Sequence, residues 1–454
     1  MPFKVTIDGK DEITVDDSDG NKLGGGGQGN VYRVKYHGKT YALKWYTAKT
    51  IIQMKDFKNN LRRNTKSESP DECFVWPQHF AENDQSYGYL MDIIDTDRFT
   101  LFSNIYVGRK RIRDKNGKKK TIDVEFESEG ARVNAAINLT KAFRSLQRKG
   151  MAYLDLNDGG FYMDTKTGEV LICDCDNIGP SNNDDVKLVL GTYGYRAPEL
   201  VEGDGMPNMD TDKHSLAVLL FMLLTWSKPF DGKMMAGSMV SQSSESKFYG
   251  RSAVFMFDPK NPDNRPIPEN KNAINFWPTL TPAVQDLFIQ CFGEGLNKPT
   301  KRPTASKWTN ALNSMRAGLI SCSCGIGDRF VKDNEMKGSK YECPKCKKQY
   351  SVLSIGDDRY PLKRGKEIYA LSIGANSFDR VIGRVAGKTN SKGKVMLGLL
   401  NDSNMDWKVV RDKEEYTVNP GRGFELKQRM EITFVYKEMI GRDEIISKKT
   451  GKVN

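Results

Sequence analysis

Over the first hundred residues, hydrophobic positions recur with the short period of β-strands. Val31, Tyr32, Val34 and Tyr36 make one β-type run, and Thr40-Tyr-Ala-Leu-Lys44 alternates as the next strand. Ahead of them, Gly24 to Gly27, Gln28 and Gly29 form a glycine-rich turn between two predicted strands. Helical periodicity takes over in the amphipathic stretch Ala135 to Lys149. Leu216 to Trp226 is apolar on every side, which predicts a buried helix too short to cross a bilayer. From 355 to 454 the strand pattern returns in short runs: Val395 to Leu400, Trp407-Lys-Val-Val, Tyr416-Thr-Val, Phe424-Glu-Leu and Ile432-Thr-Phe434. Asn401-Asp-Ser-Asn, Asn419-Pro-Gly and Gly421-Arg-Gly separate them, and strands at this spacing predict a small β-sandwich.

At 454 residues the chain has room for two to four domains. The first residues, Met1-Pro-Phe-Lys-Val-Thr-Ile-Asp, contain no apolar run with a cleavage site, so a cytoplasmic location without membrane attachment is expected. A net charge of +12 invites a nucleic-acid reading, but much of the excess is local. Residues 109 to 120 hold eight basic residues against one acidic, with the turn signal Asn116-Gly117 at their centre. Two solvated strands projecting as an insertion explain this run, with a docking arm for substrate or nucleic acid as the alternative.

The glycines offer the first candidate chemistry. Gly24, Gly26 and Gly29, with Val31 two residues on, space as G-x-G-x-x-G-x-V. Glycine leaves no Cβ between backbone N–H groups and a phosphate, Val31 supplies an apolar roof, and Lys44 supplies a point charge. A flexible hairpin would also use glycines, and β-type residues after them argue against a dinucleotide fold, which needs a helix there. A second location holds carboxylates. A loop carries Asp155 after the amphipathic helix, and Val170-Leu-Ile-Cys-Asp174-Cys-Asp176 ends in two more. That layout suits a base near a hydroxyl and metal ligands near phosphates.

Gly191-Thr-Tyr-Gly-Tyr-Arg-Ala-Pro-Glu199 closely resembles the end of a protein-kinase activation segment, with Ala197-Pro198-Glu199 as its A-P-E motif. Asp212-Lys-His-Ser-Leu-Ala-Val, Lys228-Pro-Phe, Cys291-Phe and Lys301-Arg-Pro-Thr-Ala are similar to later kinase landmarks, in the family's order. The resemblance implies an α+β multidomain chain: an N-terminal β extension over 1–14 and a bilobal kinase fold over 15–318, its N-lobe reaching about residue 91. A cysteine-bearing segment over 319–354 and the all-β sandwich over 355–454, similar to a forkhead-associated domain, complete the chain. It also implies that Gly24, Gly26, Gly29, Val31 and Ala42 cover ATP and that Lys44 contacts its phosphates. Met91, Asp92 and Ile94 would form the hinge against adenine, Asp155 would be the catalytic base, and Asp174 or Asp176 would hold Mg or Mn. Arg302 would pair with Glu199.

Several positions depart from the family pattern. Tyr153-Leu154 stand where His-Arg normally precede the catalytic aspartate. Gly160 occupies the position of the second metal-binding asparagine, leaving Asp158 or Asn157 as substitutes, and Asn60 stands where a helix glutamate would pair with Lys44, with Glu68 a distant fallback. Two functions follow: a serine/threonine kinase acting on a protein substrate, or a pseudokinase scaffold that binds nucleotide and recruits partners. Trp45-Tyr, Phe74-Val-Trp-Pro77 and Cys173-Asp-Cys-Asp-Asn177 resemble bacterial kinases that accompany a von Willebrand-type (TerY-like) protein and a metal-dependent protein phosphatase in tellurite-resistance-type systems. Those two proteins are the partners this implies.

Of eight cysteines, Cys322, Cys324, Cys343 and Cys346 lie within 25 residues. Two thiolate pairs 18 residues apart suit a tetrahedral zinc site resembling a zinc ribbon; a disulfide is the alternative. In so small a segment the metal would supply folding energy rather than chemistry. Gly383-Arg384 matches a forkhead-associated glycine-arginine step, but that family's serine and histidine pair is absent, and a generic interaction module is expected.

Overall fold

The computed structural model describes residues 2–113, 118–181, 194–237, 245–378, 380–389, 391 and 395–454. The Asn116-Gly117 turn and the beginning of the Gly191–Glu199 motif lie outside the described residues. The chain divides into two compact units. One comprises 1–127, 142–270 and 289–305, and the other comprises 128–141, 271–288 and 306–454.

The first unit opens with an antiparallel sheet of seven strands. They are β1 (Phe3–Ile7), β2 (Asp11–Val15), β3 (Lys22–Gly25), β4 (Gly29–Tyr36), β5 (Lys39–Tyr46), β6 (His79–Glu82) and β7 (Tyr87–Met91), in spatial order β2-β1-β6-β7-β5-β4-β3. The N-terminal extension thus adds a hairpin to the edge opposite the glycine turn. Alternation sorts the side chains between the sheet's faces. Tyr32, Val34, Tyr41, Leu43 and Trp45 cluster with Val5, Ile7 and Val15, whereas Tyr46, Tyr87 and Tyr89 pack with Phe57 and Leu61. Phe57 and Leu61 belong to α2 (Lys55–Asn64), which follows the short α1 (Lys49–Gln53). Gly29 is required by packing: a Cβ there would lie 2.1 Å from the Trp45 carbonyl oxygen.

Beyond β7 come β8 (Thr100–Leu101) and α3 (Phe102–Val107). The basic run then forms a hairpin, β9 (Arg109–Arg113) with β10 (Lys119–Asp123), whose strands pair, among the described residues, only with each other. The expected solvated insertion is what is found: Arg109, Arg111, Lys119 and Lys120 are exposed. The amphipathic stretch is α4 (Glu129–Arg148). After it, β11 (Met151–Tyr153), β12 (Phe161–Met163), β13 (Val170–Ile172) and β14 (Ile178–Pro180) form two small sheets, β11 with β14 and β13-β12-β8.

Two later elements brace these sheets. After α5 (Pro198–Val201), α6 (Met209–Thr225) begins with a reciprocal cap in which Asn208 Oδ1 accepts from the Asp210 and Thr211 amides and Thr211 Oγ1 accepts from the Asn208 amide. Nearly all of α6 is buried, as its uniform apolarity predicts. Its Asp212 Oδ2 accepts from the Tyr153 amide at 2.8 Å, fixing β11; burial pushes this carboxyl well above its usual range, while that hydrogen bond acts the other way. Arg302 binds Glu199 through two parallel 2.7 Å bonds and also donates to the Gly295 and Asp210 carbonyls. Nε, Nη1 and Nη2 of this buried guanidinium each donate to an acceptor, the condition under which such a pair is tolerated.

The second unit carries the β-rich C-terminal part. Its larger sheet contains, in order, Met336–Lys337, Lys340–Glu342, Gln349–Ile355, Asp443–Val453, Glu431–Ile440, Trp407–Arg411 and Glu414–Val418, with Asp358–Pro361 paired to Gln349–Ile355. A second sheet holds Glu367–Tyr369, Val381–Thr389, Val395–Asn401 and Gly423–Glu425. Residues of both sheets, among them Ile368, Ile382, Val385, Leu399, Trp407, Ile432 and Phe434, meet in one core. Strand Gln349–Ile355 leaves the cysteine segment and enters the larger sheet, so the two share a strand. Among the described residues, no helix is long and apolar enough to cross a membrane.

Candidate active site

A cavity of about 550 Å³ lies between the glycine turn and the loop after β11, within the first unit. Gly24, Gly26, Gly29, Val31, Ala42 and Lys44 line one side, and Met91, Asp92 and Ile94 line its back. Asp155, Asn157, Asp174 and Asn177 line the other. The sheet register explains the first group: Val31 pairs with Lys44 across β4–β5, and Ala42 pairs with Met91 across β5–β7. A Cβ at Gly24 or Gly26 would meet nothing within 4 Å, so the turn presents open backbone. Asp92 is tied to Lys39 by a 2.6 Å ion pair.

Lys44 is the centre of a buried charge network. Its Nζ lies 2.9 Å from Asp174 Oδ1 and 2.8 Å from Asp176 Oδ2. Strand geometry brings two tyrosines to the same place, because Tyr46 is two residues beyond Lys44 on β5 and Tyr89 sits opposite Lys44 on β7. Tyr46 Oη donates to Asp176 Oδ2 at 2.5 Å and Tyr89 Oη donates to Oδ1 at 3.1 Å. Burial alone would drive the Lys44 pKa down, but Asp176 and Asp174 outweigh it and hold the ammonium above its ordinary value. The two tyrosine hydroxyls are held far above theirs by burial and then by the Asp176 charge.

The two aspartates therefore occupy different environments. Asp174 adopts left-handed backbone geometry (φ 52°, ψ 36°), and a tight turn over Cys175–Asn177 follows. The Asp174 side chain is 39% exposed and faces the cavity, whereas that of Asp176 is 0% exposed, turned toward Lys44. Helix α2 clamps this turn from behind. Asn60 Nδ2 donates to the Asp176 and Ile178 carbonyls, and Asn64, one helical turn later, donates to those of Cys175 and Ile178. Asn60 thus holds backbone, while the carboxylate beside Lys44 comes from Asp176. Among the described residues, the carboxylates paired with Lys44 are those of Asp174 and Asp176, not that of Glu68. The legible hint was the pair of tyrosines registered with Lys44, which makes sense only around a buried anion.

Two departures from the kinase pattern compensate for each other. Tyr153 Oη donates to the Cys173 carbonyl at 2.7 Å, and a Cβ at Gly160 would lie 2.7 Å from the Tyr153 hydroxyl oxygen. A tyrosine at 153 therefore leaves room only for glycine at 160. Asn157, one of the suggested substitutes, is engaged within the loop: its Oδ1 accepts from the Gly159 amide, and its Nδ2 donates to the Asp155 carbonyl. It shapes the turn that presents Asp155. Asn177, which ends the Cys173-Asp-Cys-Asp-Asn177 motif but had no site role assigned to it, also lines the cavity.

Residues 18–313 match the family model of the protein kinase domain. The chain belongs to the protein kinase family. Among curated proteins, none matches it. Membership agrees with the expected kinase-like fold and with transferase chemistry, and it implies ATP and a divalent metal as cofactors. The Arg302–Glu199 pair and the Asp212 bond to β11 brace this kinase-family domain, the latter just ahead of the loop that carries Asp155.

A separate site lies in the second unit. The Sγ atoms of Cys322, Cys324, Cys343 and Cys346 all lie within 4.8 Å of one another. The Cys322–Cys346 and Cys324–Cys343 separations are 3.6 and 3.7 Å. Bonds of about 2.3 Å to a tetrahedral zinc ion place sulfurs about 3.8 Å apart, whereas a disulfide needs about 2.05 Å. The donor set therefore fits zinc. Tyr350 Oη donates to Cys322 Sγ at 3.1 Å and holds that thiol down at about 6, favouring thiolate. We expect the purified protein to carry one zinc per chain by elemental analysis, and Cys343→Ser to lose it together with the melting transition of this unit. In the sandwich, the glycine-arginine step places Arg384 half-exposed, 3.6 Å from Asp402.

Proposed function

We propose that this protein is an ATP-dependent protein kinase that phosphorylates serine or threonine of a partner protein. The observation supporting this most directly is one cavity, in a kinase-family chain, lined by Lys44, Asp155 and Asp174 beneath an open glycine turn. In this reading the adenine lies between Val31 and Ala42 and meets the backbone around Asp92 and Ile94. Lys44 contacts the α- and β-phosphates. Asp155 orients the acceptor hydroxyl and takes its proton as the bond to phosphorus forms. Asp174 would hold magnesium or manganese, which compensates phosphate charge. Asp176, sealed from the cavity, keeps Lys44 charged and aimed rather than serving as a metal ligand.

The reading includes a protein substrate, cytoplasmic residence, a structural zinc and a C-terminal forkhead-associated-like interaction module. A von Willebrand-type protein and a metal-dependent phosphatase are proposed partners from the motif resemblance alone. Gly160, which removes a customary ligand, favours a second reading: a pseudokinase that holds nucleotide and recruits partners. Incubating the purified protein with radiolabelled ATP, magnesium or manganese and a generic protein acceptor separates them. Label on serine or threonine supports the kinase, nucleotide binding without transfer supports the scaffold, and absence of nucleotide binding overturns both.

A further inference from the structure

The kinase reading leaves one oxygen donor unaccounted for. Gly160 cannot supply it, Asp176 is closed off by Lys44 and two tyrosines, and both ends of the Asn157 amide are already used. Asn177 lines the same cavity. It is 2% exposed, and its Oδ1 finds no hydrogen-bond donor among the described residues. A buried amide oxygen without a partner costs free energy and calls for an occupant. Its position is fixed by backbone on both sides: the Asn177 amide donates to the Asp174 carbonyl at 3.0 Å, and its carbonyl accepts from the Leu154 amide at 2.9 Å. The same short turn thus ties Asn177 to Asp174 and to the residue before Asp155.

We propose that Asn177 is a ligand of the divalent cation that enters this cleft with nucleotide, its side-chain oxygen acting alongside the Asp174 carboxylate. Neutral amide oxygens suit hard cations such as magnesium and manganese, which take one or two protein carboxylates and complete their shell with phosphate oxygens and water. The relocation also explains how the chain tolerates Tyr153 with Gly160: the oxygen lost from one side of the cleft is replaced from the turn after Asp174. This inference rests on the proposed nucleotide-binding reading of the cleft.

The test is manganese binding followed by electron paramagnetic resonance, on the full chain with a non-hydrolysable ATP analogue, so that no turnover is needed. Asn177→Leu removes the oxygen while keeping the branching at Cγ, and Asn177→Asp replaces the amide with a carboxylate. The expected result is an opposite pair of shifts: manganese affinity weaker by about tenfold in the leucine variant and stronger in the aspartate variant. Analogue affinity measured without metal should be unchanged in the leucine variant, whereas the added carboxylate of the aspartate variant should weaken it by repulsion. A merely structural asparagine would give no opposite shifts, and equal manganese affinity in all three proteins overturns the assignment while leaving the nucleotide site intact. If wild type binds the analogue neither with nor without manganese, the cleft reading itself falls, and the assignment with it. Should the leucine variant lose its melting transition, the aspartate variant decides alone: unchanged or weaker manganese binding overturns the proposal.

Discussion

Asp155→Asn is expected to lower phosphoryl transfer by about 10²–10⁴-fold while leaving nucleotide binding within about twofold of wild type. Asp155 lies on the cavity wall opposite the glycine turn. The Asn157 bonds shape its loop through the Asp155 backbone carbonyl, and the Asp212 bond to the Tyr153 amide holds the preceding strand. An amide at 155 keeps the volume and loses the basic oxygen. The loss should therefore fall in kcat, with KM for ATP little changed, in single-turnover and steady-state assays with radiolabelled ATP. A variant that transfers label at the wild-type rate would remove Asp155 from the chemistry. A variant that no longer binds nucleotide would show that its role is structural.

Asp176→Asn should have the larger effect on folding. The side chain of Asp176 is fully buried and accepts from Lys44, Tyr46 and Tyr89 at 2.5–3.1 Å. Removing its charge leaves a buried ammonium with Asp174 as its remaining anionic partner, and breaking a buried pair in this way costs about 3–5 kcal/mol. Denaturant unfolding should show that loss as a lower midpoint. Because burial is the largest influence on Lys44, the Lys44 pKa should drop once Asp176 is neutral. Lys44 would also lose its aim, and a misplacement of about 1 Å can cost about 10²-fold in rate. Asp174→Asn makes the contrast: its half-exposed side chain should leave the midpoint nearly unchanged while weakening manganese binding. If Asp176→Asn unfolds at the wild-type midpoint, Asp176 is not the Lys44 anchor.

These expectations show how far the sequence could be read. The glycine turn, Lys44, the hinge residues and Asp155 were legible because each is set by local rules: strand alternation, glycine's missing Cβ and the order of landmarks along the chain. The same holds for the cysteine pairs, whose spacing alone suggested four thiolates around one point. The Asp174-Cys-Asp176 triplet was not divisible in this way. Carboxylates two residues apart have equivalent local patterns, and their separation into a cavity-facing and a buried group depends on the left-handed turn at Asp174 and on β5, β7 and α2 arriving from elsewhere in the chain.

What the sequence determined by itself was the glycine turn and the positions of its charged residues, through short-range periodicity and spacing, and the kinase framework, through the order of landmarks that resemble that family. Only the tertiary structure decided how each departure is absorbed. Tyr153 fills the space that makes Gly160 necessary, Asn60 binds backbone instead of Lys44, Asp176 supplies the missing counter-charge, and Asn177 is left with an oxygen facing no donor. The physical reason is common to all four. Desolvation and hydrogen-bond satisfaction are settled by which groups meet in three dimensions, and those groups lie up to 132 positions apart in the chain, as Lys44 and Asp176 do.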